Sequence, residues 1–292
     1  MRSFVSLFFL VVPVLAACAG VPSVSPSGEA AAEQPRTLGV LFVERQGVTA
    51  PGQPAHIGAR FVQYAGLPSA ALPDLLGTPF TPGALAGCAE RAHPSLGNEA
   101  SASEARLLDV GTIEVRSGER ALQLQPRRFP DLWNVVSGVI YATDEDLVGD
   151  DWHFSAAGRS DLRLGAFDVD VRAPAPLADV VIADQPLVAE TPVSLPRQAF
   201  RVHWTHGDAA DTVMLTVESA PGSQNPITID CSARDEGLLE IDTPWTERLE
   251  EALRGGGTLT LHRLRMRPFS VPQVDTAHLV FDLYVRAHGT TP

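Results

Sequence analysis

Apolar and polar residues alternate along most of this chain, and the alternation predicts strands. Leu38 to Arg45 and His56 to Tyr64 read as the first two. Leu107 to Arg116 follows as a third, with Val110, Thr112, Glu114 and Arg116 on one face and Gly111, Ile113 and Val115 on the other. Ala121 to Gln125, Asn134 to Thr143 and Leu162 to Arg172 complete a group of about six. Between the second and third strands, Leu67 to Asn98 is proline-broken and rich in alanine, an insertion long enough to suggest a functional or poorly ordered loop. Pro174-Ala175-Pro176 then interrupts the pattern and marks a boundary.

The second half alternates more cleanly. Phe200, Val202 and Trp204 share one strand face and Arg201 and His203 the other, and Val213, Leu215 and Val217 repeat the pattern. Pro226 to Ser232 and Leu238 to Asp242 suggest a hairpin turning at Arg234-Asp235-Glu236-Gly237. Thr243 as cap and Pro244 at the first helical position open one helix. Trp245, Leu249 and Leu253 form its apolar stripe, and Gly255-Gly256-Gly257 ends it. Leu259 to Arg267 and Ala277 to Arg286 are long closing strands. The pattern predicts an all-β protein of two β-sandwich domains, 37–176 and 177–292. The second is expected to be immunoglobulin- or fibronectin-like, with a buried tryptophan and one short helix.

Composition narrows the chemistry. The 24 glycines and 24 prolines favour short strands and turns over long helices. All 22 basic residues are arginine, so P-loop, Schiff-base and Ser-x-x-Lys lysines are excluded. A net charge of −13 makes nucleic acid a poor partner.

The start of the chain says where the protein belongs. Behind Arg2, the apolar run Phe4 to Ala16 is about 13 residues, too short for a spanning helix. Charged start, apolar middle and small-residue exit make a secretory signal. The ending Leu15-Ala16-Ala17-Cys18 resembles the lipobox of bacterial lipoproteins. That resemblance covers only the first 18 residues. It implies cleavage of a signal peptide over 1–17, acylation of Cys18 (palmitate among its chains), and membrane attachment through lipid. Ala19, rather than an aspartate after the cysteine, implies an outer-membrane address and leaves the face open. Residues 18–36 read as lipidated cysteine and tether, with an r.m.s. reach of roughly 20–25 Å. The chain also shows a weak similarity to uncharacterised two-domain envelope lipoproteins, from which no activity follows.

Candidate sites are few. Cys88 and Cys231 form a candidate disulfide in an oxidising envelope, but Cys231 on a strand's core face, with Cys88 in a loop or short helix, favours two separate buried thiols. His206, Asp208 and Asp211 are weak metal candidates, because His203 and His206 point to opposite sides of a strand and only a turn could gather the other three. The carboxylates Asp144-Glu145-Asp146 and Asp150-Asp151 lack calcium-loop spacing. Ser155, His153 and Asp151 resemble a triad fragment but stand too close in sequence to assemble one. Arg263, Arg265 and Arg267 alternate into a cationic ladder, either a partner contact or a solvated face balancing carboxylates. No catalytic residues and no cofactor are expected. The reading is a non-catalytic envelope binding or assembly module, held to the membrane by lipid, with an envelope protein or glycan as partner. The alternative is an envelope hydrolase whose carboxylates are brought together by the fold.

Overall fold

A computed structural model of the chain describes residues 34–46, 54–67, 72, 87–91, 104–132, 136–145, 147, 149–162, 164–188, 191–223 and 225–291. They belong to one compact unit, Gln34–Pro292. Cys18, the signal and the tether as far as Glu33 lie outside the described residues.

The protein is an all-β sandwich. Its backbone is an eleven-stranded sheet assembled from both halves of the chain. At its centre the first strand, β1 (Arg36–Gln46), lies parallel to the last, β19 (Thr276–Thr290). On one side of this pair follow β2 (Ala55–Ala65), β4 (Glu104–Leu107), β8 (Val136–Glu145) and β7 (Arg127–Leu132). On the other side follow β18 (Gly257–Phe269), β15 (Thr212–Ser219), β16 (Thr228–Arg234) and β3 (Gly87–Glu90). A short strand, β13 (Val193–Ser194), also pairs with β19. Among the described residues, two four-stranded sheets complete the fold. The first runs β10 (Phe167–Arg172), β9 (Asp151–Ala156), β5 (Ile113–Ser117), β6 (Arg120–Leu124). The second runs β12 (Gln185–Pro186), β11 (Val181–Ile182), β14 (Phe200–His203), β17 (Leu238–Ile241), and helix α1 (Thr243–Ala252) follows it.

Side-chain alternation explains the two cores. Leu41, Val43, Ile57 and Phe61 pack with Trp152, Phe154 and Val115 of the first small sheet. Leu215, Leu261, Val217 and Val285 pack with Val202, Trp204 and Ile241 of the second and with Leu249 and Leu253. Burying one such Leu or Phe fully contributes about 1.5–3 kcal/mol. The first core also takes Val271, Leu279 and Phe281, so strands from both sides of Pro176 build it. Residue 176 therefore lies at a seam between two cores that share one sheet. On β1 and β19 the opposite face is apolar too, with Phe42 and its partner Val280 buried, which is why Val40-Leu41-Phe42-Val43 reads as a continuous hydrophobic run. Gly58 leaves room for that Phe42 ring, since a Cβ there would stand 2.3 Å from its Cζ.

Several local expectations change. The strand expected over Leu107 to Arg116 breaks in two at Gly111, whose φ is 84°. Asp109 accepts the Gly111 N–H at 2.8 Å, and the turn passes the chain from the large sheet into the first small one. Val110 and Ile113 are consequently both buried, which a single two-residue period cannot do. The hairpin expected at Arg234 to Gly237 does not form. β16 pairs with β15 while β17 pairs with β14, because buried Asp235 draws the connection into the seam. Cys88 sits on β3 directly opposite Cys231, and the two are joined by a disulfide rather than left as separate thiols. Arg91 reinforces this strand by pairing with Asp230, as does Glu90 by pairing with Arg248. The helix starts one residue earlier than expected, with Asp242 at the cap position; Leu249 and Leu253 are buried and Trp245 is partly so. Among the described residues no helix is long and apolar enough to cross a membrane.

Candidate functional site

Among the described residues, a concavity of about 510 Å³ lies at the end of the first small sheet where it meets β18. Alternation builds it. Trp152 and Phe154 of β9, with Val169 and Val171 of β10, point into the core; Asp151, His153 and Ser155, with Asp168, Asp170 and Arg172, point outward. Register sets His153 opposite Asp170 on one side and Arg116 of β5 on the other. Arg116, Arg172 and Arg267 line the hollow together with Asp151, Asp170 and His153. Strand β9 is not among the strands expected above, although Trp152, Phe154 and Ala156 alternate with His153 and Ser155 as plainly as in any of them.

His153 Nδ1 lies 2.9 Å from Asp170 and its Nε2 lies 3.4 Å from Asp168. These three residues are the one His/Cys/Asp/Glu cluster with metal-ligand spacing among the described residues. Both ring nitrogens already face carboxylates, and the two aspartate side chains are 69% and 82% exposed, so the set is a histidine–carboxylate cluster at the sheet surface. No hydrogen bond joins Ser155 to His153 among the described residues, and the Asp151-His153-Ser155 fragment does not assemble.

The arginine ladder divides by depth. Arg263 is fully buried and reaches Asp235, Thr205 O, Ala175 O and Pro176 O. Arg265 pairs with Asp211 through two bonds of 2.7 Å and also donates to Arg172 O and Ala173 O. Its Asp211 contact, assisted by Asp208, holds the Arg265 pKa above the usual value for arginine. Buried Arg263 therefore cannot meet a partner, and only Arg267 is exposed. The first two arginines instead clamp the seam-crossing residues 172–176. The same contacts dispose of the metal candidates: Asp211 is buried against Arg265, Asp208 accepts the Ala210 N–H, and His206 stands exposed without joining them.

A second polar group sits on the far face of the large sheet. Asp282, 2% exposed, has both oxygens within 3.0 Å of His262 Nδ1. Glu44 is its neighbour across β1 and β19. Burial, and then the charge of Asp282, hold the Glu44 carboxyl above its ordinary pKa despite the offsetting charges of His56, His262 and Arg60. Burial also lowers the pKa of Arg60, whose guanidinium stacks on Phe42. Neither carboxylate stood out in sequence, because each looks like one more polar position in an alternating strand.

No family model matches the chain, and no curated protein matches it. Among solved structures, the Danio rerio Fcho1 Mu homology domain with bound Eps15 peptide is similar at a TM-score of 0.22 and 7% identity, over 89% of this chain and 98% of that one.

Proposed function

We propose that this chain is an outer-membrane lipoprotein anchored through Cys18, whose β-sandwich body is a non-catalytic binding or assembly module for an envelope partner. The observation that carries the reading is the solvent-open hollow of about 510 Å³, lined by side chains of both charge signs and mounted on strand ends. Sites on strands are held more rigidly than sites on loops, which suits recognition. The Leu-Ala-Ala-Cys ending supports the anchor, and the four-stranded sheet packed on second-half strands of the large sheet supports the use of that half as an immunoglobulin-like unit.

The test is co-purification from native envelopes. Wild type should retain a partner that Arg172→Gln/Arg267→Gln protein loses while still folding. Recovery of the same proteins by both would refute the assignment of this hollow. Cys18→Ser protein should leave the membrane fraction; continued pelleting would refute the anchor.

A second reading, an envelope hydrolase, draws on the Glu44–Asp282 pair. A carboxyl held above its ordinary pKa beside a second carboxylate suits general acid catalysis. Hydrolysis of an envelope polymer that disappears in Glu44→Gln protein would favour it over the binder.

A further inference from the structure

We infer that the hollow takes a zwitterionic ligand, a free amino acid or short peptide, with its carboxylate at Arg172 and Arg267 and its ammonium at Asp151 and Asp170. This rests on the preceding assignment of the hollow as the contact site and names the chemistry of what enters it.

The argument starts from which charges are already occupied. Arg116 is bonded to Glu114, while Asp170 meets His153 through Oδ1 alone and keeps its other oxygen for a ligand. Among the described residues, the side chains of Arg172, Arg267 and Asp151 make no hydrogen bond or ion pair. Two arginines paired with no carboxylate, at one hollow, stand out in a chain with 35 acidic residues against 22 basic ones. Arg172 and Asp151 are even cross-strand neighbours, yet they form no ion pair.

Their placement is fixed by the fold. Arg265 donates to Arg172 O at 2.9 Å and to Ala173 O at 3.3 Å, which ties the end of β10 to β18. Arg267 lies two residues further along β18, on the same face as Arg265. Ala173 N–H in turn donates to Asp150 O, which holds the start of β9 beside the end of β10. Guanidiniums and carboxylates are thus brought to one rim by backbone contacts and not by pairing with each other.

Selectivity follows from the two signs. A simple anion attracted by Arg172 and Arg267 would meet Asp151 and Asp170, and a simple cation would meet the arginines. A ligand carrying both charges satisfies all four. Arginine suits a carboxylate through paired N–H donors, and an ammonium suits two carboxylates. A volume of about 510 Å³ falls in the small-ligand range of roughly 300–1,000 Å³.

The test uses the full chain in detergent and calorimetric titration with alanyl-alanine, its N-acetyl form, its C-terminal amide, free alanine and inorganic phosphate. The dipeptide or free alanine should bind saturably, and which of the two binds tighter identifies the source. Each blocked form should bind at least about tenfold more weakly than the dipeptide. Arg172→Gln/Arg267→Gln should abolish discrimination against the amide, and Asp151→Asn should reduce discrimination against the acetylated form; unchanged thermal melting checks that both variants fold. Phosphate or the acetylated peptide binding as tightly as the dipeptide would overturn the inference, as would no saturation by any probe at millimolar concentration. If no probe binds while the double arginine variant still loses its envelope partner, the inference falls and the binding-module reading stands. If a zwitterion binds saturably and no envelope partner is recovered, the inference stands and the assembly role falls.

Discussion

Arg263 gives the sharpest test of how the two halves are held. Its Nη1 donates to Ala175 O and Pro176 O at 2.7 Å each, and its Nη2 donates to Thr205 O at 2.6 Å and Asp235 Oδ1 at 3.1 Å. Its Nε stands 2.8 Å from Asp235 Oδ2, and both side chains are 0% exposed. Arg263→Met keeps most of the volume and removes every donor. Asp235 would keep the Trp204 Nε1–H at 2.6 Å and the Gly207 N–H at 3.1 Å, but no cation. Breaking a buried ion pair from one side costs about 3–5 kcal/mol. Against a total stability of about 5–15 kcal/mol, that is a severe loss. Arg263→Lys should fall between, because one ammonium cannot serve acceptors spread around a planar fork. The exposed Arg267→Met is the control and should stay within about 0.5 kcal/mol. Urea unfolding followed by tryptophan fluorescence and by far-ultraviolet circular dichroism measures all three. In Arg263→Met the two probes should also separate, since freeing residues 174–176 loosens one core from the other. A loss below about 1 kcal/mol, or one no larger than for Arg267→Met, would show that the seam is not held by this guanidinium.

Three further outcomes are expected. Trp204→Ala should cost about 3–5 kcal/mol in thermal or chemical melting, because the indole is 5% exposed and bonded to Asp235, whereas His203→Ala on the exposed face should cost under about 0.5; equal effects would refute the strand assignment. Glu44, whose pKa is raised by burial in the fold, stays protonated to higher pH folded than unfolded. Stability from this group is therefore fully present below its ordinary value of 4.5 and falls as pH rises through the higher folded value, so Glu44→Gln should raise the melting temperature at pH 7 and lose that advantage near pH 4; a destabilised variant at pH 7 would contradict the sign. Reducing Cys88–Cys231, a crosslink between residues 143 apart in sequence, should cost about 2–5 kcal/mol and speed amide exchange along β3 and the adjoining edge of β16; unchanged exchange there would mean that backbone pairing and the Arg91–Asp230 contact suffice.

The alternation of side chains was enough to determine that this chain is β-rich, which faces of most strands are buried, and that Phe200, Val202 and Trp204 share a core while His203 does not. The ending Leu15-Ala16-Ala17-Cys18 is similarly local, and it alone motivates the lipoprotein reading. What alternation cannot specify is the neighbour of a strand. A period of two fixes the face a residue takes, but pairing depends on turns and on contacts between residues far apart in the chain. For that reason β1 beside β19, β3 beside β16, and the separation of β16 from β17 emerge only in three dimensions. The arginines make the same point energetically. Arg263, Arg265 and Arg267 are equivalent positions on one strand, yet the first is buried against Asp235, the second bound to Asp211 and the third left at the rim of the hollow. Their surroundings come from residues 172–176, 205–211 and 235, which reach β18 only through the tertiary fold, and it is that fold which separates a structural clamp from a candidate binding group.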